Sequence, residues 1–197
     1  MSSKNSNSMV WEPPLLQPHR IGEINKFGRA KKKKKRVNQV FDVDIELLKA
    51  QYGSPLFVTS ESRLRQNVRQ LKRAFEVRYG NVSHGWSYKT NYISAICNIM
   101  HQEGSLAEVV SAFEYEKARQ LGVPGDKIIF NGPNKSRKIL ERAIADGAQI
   151  NIDHLDELHL IESVAQAQGR VATVGLRLNF DTGFSEPWSR FGFNIET

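Results

Sequence analysis

From residue 82 onward one unit repeats, a short strand-like run followed by a helical run. Strands read over residues 82–89, 106–110, 127–131, 149–152 and 171–179. Helices read between them over 92–102, 113–121, 136–146 and 155–167. A strand reached through a helical crossover pairs in parallel with the one before it, and the helices then cover the outside of the sheet. The punctuation agrees. Gly122 and Pro124 follow the second helix, Gly147 the third and Gly169 the fourth, where helices end. Ser111-Ala112-Phe113-Glu114 is a capping box for the second helix, and Ser136 can cap the third.

Two architectures use such units, an open doubly wound sheet and a closed (β/α)8 barrel. No strand–helix turn carries the G-x-G-x-x-G of a dinucleotide-binding sheet. Barrels place their chemistry at the C-terminal ends of the strands. Those ends are polar or ionisable here: Lys89 and Asn91, Ser111, Asn131, Asp153, Arg177 and Asn179. Helix capping explains each one singly, and the set favours an α/β chain of the TIM-barrel type. About five barrel strands are present where eight close the ring, so the chain reads as an incomplete barrel, the N-terminal part of a longer enzyme or a truncated product.

The first strand has two unlike faces. Val82, His84, Trp86 and Tyr88 fall on one side, and Ser83, Gly85, Ser87 and Lys89 on the other. The bulky side suits packing under a helix. The small side leaves an open space with one ammonium group at its end. Lys89 is then either a solvated strand end or a primary amine held for carbonyl chemistry.

Upstream, Leu56-Phe57-Val58-Thr59 reads as a strand, and Ser60 can cap a helix over 61–78. Leu64, Val68, Leu71 and Phe75 recur at spacings of three and four, which predicts one buried face. The 197-residue chain carries a net charge of +7, but residues 1–39 alone contribute +8 and the rest is close to neutral. A basic tail over 1–39, read as disordered, thus precedes a body over 40–197. The run at 31–36 resembles a nuclear localisation signal or a phosphate-binding arm, with a solvated linker as the plainer reading. A nucleic-acid reader would carry its charge on the domain itself. The single cysteine, Cys97, lies in an apolar helical run and reads as a small buried hydrophobe. No apolar run reaches the length of a membrane span and no signal core opens the chain, so a cytoplasmic protein without membrane contact is expected. His154 and His159 are five apart and do not share a helix face, which argues against a metal pair.

Taken together, these residues resemble the fold-type III pyridoxal phosphate decarboxylases, the ornithine/diaminopimelate/arginine decarboxylase family, from about Pro55 to Phe193. Ser87-Tyr88-Lys89-Thr90-Asn91 looks like that family's Y-x-x-K-x-N strand end. The stretch from Ala107 to Glu114 is similar to its (D/E)-V-x-S-x-x-E element, and that from Ile129 to Ser136 to its F-x-G-x-x-K-S segment. Asn151-Ile152-Asp153 and Leu176-Arg177-Leu178-Asn179 fit the next two strands, and Ser189-Arg190-Phe191-Gly192 resembles S-K-F-G. The wording leans towards the diaminopimelate branch.

The resemblance implies pyridoxal 5'-phosphate as cofactor, with Lys89 the catalytic residue that bonds its aldehyde. Glu108, Ser111 and Arg177 would line the cofactor bed. An amino acid is the implied substrate and a homodimer the implied assembly of full-length members. A barrel mouth that partly desolvates Lys89 would free its amine to act as a nucleophile. The family's ring-stacking histidine, glycine-rich phosphate loop, pyridine-pairing glutamate and C-terminal β-domain map beyond the last residue of this chain. An amino-acid racemase sharing the barrel lysine, and a non-catalytic regulator built on a decarboxylase, are the alternative readings.

Overall fold

A computed structural model describes residues 38–180 and 191–195. The chain divides into two compact units, Met1–Leu56 and Phe57–Thr197. In the first, strands β1 (Gln39–Val40) and β2 (Val43–Asp44) pair antiparallel across Phe41 and Asp42, both at positive φ. Helix α1 (Ile45–Tyr52) follows at once, because the Asp44 carboxylate accepts from the Glu46 and Leu47 amides and caps it. The basic run at 31–36 lies outside the described residues.

The second unit opens with α2 (Glu61–Glu76), capped by the Ser60 hydroxyl. It then alternates as the sequence predicts: β3 (Gly85–Ser87), α3 (Ser94–Gln102), β4 (Leu106–Val109), α4 (Ala112–Gln120), β5 (Ile128–Phe130), α5 (Arg137–Asp146), β6 (Gln149–Ile152), α6 (Leu155–Gln168) and β7 (Thr173–Leu176). The five strands form one parallel sheet in the order β3-β4-β5-β6-β7. Every strand sits beside its predecessor and the order never reverses. A doubly wound sheet needs such a reversal at its switch point, so this is the singly wound order of a barrel wall. Beyond Arg177, β8 (Leu178–Asn179) pairs in parallel with β9 (Phe193–Asn194).

The outer face of the sheet is the core. Ala107, Val109, Ile128, Phe130, Ile150 and Ile152 are fully buried under the helices, together with Tyr115, Leu140 and Ala143. Cys97 is buried there too, as its apolar surroundings predict.

Three local expectations are corrected. Leu56–Thr59 forms no strand, and Phe57 is almost wholly exposed. Of the apolar stripe on α2 only Val68 is buried, with Leu64 half-buried, whereas Leu71 and Phe75 are exposed. Periodicity shows which face is apolar but not what covers it. Ser136 holds the capping position of α5 without a side-chain capping bond.

Two strand–helix turns are built alike. Ser111 caps α4, and the Glu114 carboxylate reaches back to the Val110 amide at 2.8 Å. His154 caps α6, and Glu157 reaches back to the Asp153 amide at 2.8 Å. Each glutamate holds the amide one residue before the cap, so the strand end is pinned to the first turn of its own helix.

Candidate active site

The two-faced reading of residues 82–89 holds. Tyr88 is fully buried on the helix side, where its hydroxyl donates to His101 Nε2 at 2.7 Å. His101 Nδ1 in turn donates to the Ser105 carbonyl at 2.9 Å, which fixes that tautomer. Burial pushes the Tyr88 hydroxyl above its ordinary range and pulls His101 below it, so both stay neutral near pH 7. On the opposite face Gly85 leaves the Glu108 Cβ as the nearest atom, and Ser87 lies in register with Glu108.

Lys89 follows β3 in a turn held at several points. The Tyr88 amide donates to the Glu108 carbonyl at 2.9 Å, and the Thr90 amide to the Ser87 carbonyl at 3.2 Å. The Asn91 carbonyl receives the Trp86 indole N–H at 3.0 Å and the Cys97 thiol at 3.7 Å, while its side chain caps the Ile93 amide. Lys89 itself is exposed and has no hydrogen-bond or ion-pair partner among the described residues. This exposure is that of a five-stranded wall, with the remaining sides of a barrel mouth not among the described residues.

Glu108, Asn131 and Asn151 share the inner face of three consecutive strands. Asn131 Nδ2 donates to Glu108 Oε1 at 2.7 Å, Asn151 Nδ2 to Asn131 Oδ1 at 2.7 Å, and Gln149 Nε2 to Asn151 Oδ1 at 3.2 Å. Gly175 belongs to the same face, since a Cβ there would collide with Asn151 Oδ1. The Ser111 hydroxyl accepts from the Glu114 amide at 3.3 Å, so it is engaged as a helix cap. Arg177 pairs with Asp153 at 3.1 Å and lies over the Phe191 ring at 4.7 Å. Ser189 and Arg190 lie outside the described residues.

The sequence reading gave Lys135 no role beyond its place in a motif. It is buried to 4% exposure, and its ammonium donates to the Gly132 carbonyl (2.7 Å), the Asn151 carbonyl (2.8 Å) and Glu157 Oε1 (2.7 Å). All three protons are matched. Burial draws the ammonium below the ordinary lysine range while Glu157 pulls it back. Gly132 takes φ +96°, and a Cβ there would run into the Val110 carbonyl. A buried lysine runs against composition, and no local pattern in the sequence marks it.

These residues fit the cofactor that the sequence implies. An exposed primary amine follows the first strand, Gly85 puts no side chain on the inner face beside Glu108, and the Ser87 hydroxyl is buried without a partner among the described residues. Among the described residues no cluster of His, Cys, Asp and Glu could hold a metal ion, and no helix is long and apolar enough to cross a membrane.

A sequence model described as the pyridoxal binding domain of pyridoxal-dependent decarboxylases matches residues 61–197. The chain belongs to that family. It is 33% identical over 144 residues to a diaminopimelate decarboxylase of Zymomonas mobilis, covering 72% of this chain and 34% of that protein. It is 29% identical over 150 residues to an L-glutamyl-[BtrI acyl-carrier protein] decarboxylase of Niallia circulans, covering 76% and 34%. Its fold matches diaminopimelate decarboxylase of M. jannaschii in complex with L-lysine, with TM-score 0.68 and 29% identity, over 78% of this chain and 38% of that one. The chain thus spans about a third of the length of these relatives, the N-terminal part of the barrel.

Proposed function

We propose that the chain supplies the cofactor-holding wall of an amino-acid decarboxylase of the diaminopimelate kind, with Lys89 as the residue that bonds pyridoxal phosphate. One observation carries this reading. Lys89 is an exposed amine just past the C-terminal end of the first barrel strand, without a partner among the described residues, and the last residue of that strand, Ser87, lies in register with Glu108. The bound cofactor would supply an electron sink for the charge left when the α-carboxylate departs. Lys89 would hold it, with Glu108, Ser111 and Arg177 at the bed. Glu108 keeps one oxygen on Asn131, which leaves Oε2 to meet a donor. Ser111 uses its oxygen as a helix cap and keeps its O–H to give. Arg177, with Asp153 taking one N–H, has further N–H groups for an anion.

The full-length protein would act as a cytoplasmic homodimer on a free amino acid, with residues 1–39 as a tail ahead of the barrel. Borohydride reduction of the chain mixed with pyridoxal phosphate, followed by peptide mapping, tests the assignment. The pyridoxyl group is expected on Lys89 and absent from a Lys89→Ala variant. A label spread over other lysines, with Lys89 no more reactive than they are, overturns it.

A further inference from the structure

We propose that the buried Lys135–Glu157 pair is the positioning couple of this site, one ion pair that sets the places of both Glu108 and Arg177. The proposal rests on the reading that those two residues line the cofactor bed. Two arms leave the pair. In one, Lys135 Nζ holds the Asn151 main chain at 2.8 Å, and the Asn151 side chain passes through Asn131 to Glu108. In the other, Glu157 Oε2 holds the Asp153 amide at 2.8 Å, and the Asp153 carboxylate takes Arg177 at 3.1 Å. The third ammonium proton fixes the Gly132 carbonyl in the loop after β5. A second clasp closes the same two loops, His154 Nε2 donating to the Pro133 carbonyl at 3.2 Å while Nδ1 accepts from the Glu157 amide.

Stability alone gives little reason for this arrangement. Both side chains are almost fully buried, at 0% and 3% exposure. Two well-packed apolar side chains in such a place are often as stable as the ion pair they replace. What apolar side chains cannot do is hold three separate main-chain and side-chain acceptors at once. The ammonium does this where β5 and β6 end, and two of the three acceptors, Asn151 and Glu157, lead on to different parts of the site.

The arms make the proposal separable from a general role in folding. In the full 197-residue chain, Glu157→Gln keeps an oxygen for Lys135 but turns an N–H2 group towards the Asp153 amide. It is expected to shift the Arg177 Nε–H signal in NMR spectra and leave the Asn131 side-chain amide pair in place. Lys135→Met is expected to move both signals and to weaken pyridoxal phosphate capture at Lys89 about tenfold, the equivalent of about 1.4 kcal/mol.

Should Lys135→Met not fold, the Glu157→Gln spectrum decides alone. Movement of both signals, or of neither, in Glu157→Gln overturns the proposal. So does unchanged capture in a folded Lys135→Met. If the unaltered chain captures no cofactor at Lys89 while the Glu157→Gln signals behave as described, the functional reading falls and the positioning couple stands.

Discussion

The Trp86 indole N–H donates to the Asn91 carbonyl at 3.0 Å, so the turn that carries Lys89 is tied to the strand that precedes it. Trp86→Phe removes that one donor and keeps the ring. The loss should cost about 1 kcal/mol, the net worth of one hydrogen bond, and should lower the fraction of chain that borohydride fixes at Lys89. Urea titration and peptide mapping on the same samples read both effects. Unchanged labelling would mean the turn does not depend on this bond.

Gly132 and Gly147 both sit at positive φ but differ in what surrounds them. An alanine at either meets the backbone cost of about 1–2 kcal/mol. At Gly147 nothing lies within 4 Å of the added methyl, whereas at Gly132 it meets the Val110 carbonyl. Gly132→Ala should therefore lower the urea midpoint clearly more than Gly147→Ala. Equal losses would show that the β5–α5 loop can move aside.

Glu103 is gripped by Arg69 at 2.6 Å and Arg65 at 3.0 Å, with 8% of its side chain exposed. The hydrogen bonds from Arg69 and then Arg65 hold its carboxyl down, from 4.5 to about 2. A depressed folded value contributes stability that is full above the free value and lost as pH falls through the folded one. The stability gap between the natural chain and Glu103→Gln should be widest above pH 4.5 and close towards pH 2. Denaturant midpoints at several pH values measure it, and a gap independent of pH would remove the ion pair as its cause.

Leu140 is fully buried on α5, and Leu71 on α2 is 44% exposed. Leu140→Ala should cost about 2–5 kcal/mol through lost contacts and a residual cavity. Leu71→Ala should stay within about 0.5 kcal/mol. Equal costs would mean that α2 is covered where the structure shows it open.

What could be read from the sequence follows from local rules. The alternation over 82–89 predicted the two faces of the first strand because a strand's period is fixed by its backbone, and Tyr88 is buried opposite Ser87 and Lys89 as a result. Ser111 and Glu114 announced a helix start by residue type. His154 did not, since histidine is an uncommon cap, and so the matching role of Glu157 went unread. Lys135 was visible as part of a motif, but in the loop before α5 its charge is met by a carboxylate 22 positions away, on α6. Contacts of that range leave no periodic trace. For Lys89 the sequence left a solvated strand end and a held amine both open, because the path of a turn beyond a strand end is set by contacts such as those of Trp86 and Cys97 with the Asn91 carbonyl.

The row from Glu108 through Asn131 and Asn151 to Gln149 also has a direction. An ionised carboxylate only accepts, so Asn131 must turn its N–H2 group towards Glu108 and its oxygen towards Asn151. Asn151 must then do the same towards Gln149. No amide in the row can flip alone without setting oxygen against oxygen. The carboxylate at one end therefore fixes the sense in which three neighbouring amides point. Three adjacent strand ends are joined on their inner face by side chains that all donate in one direction, a polarity that the backbone ladder between the same strands does not supply.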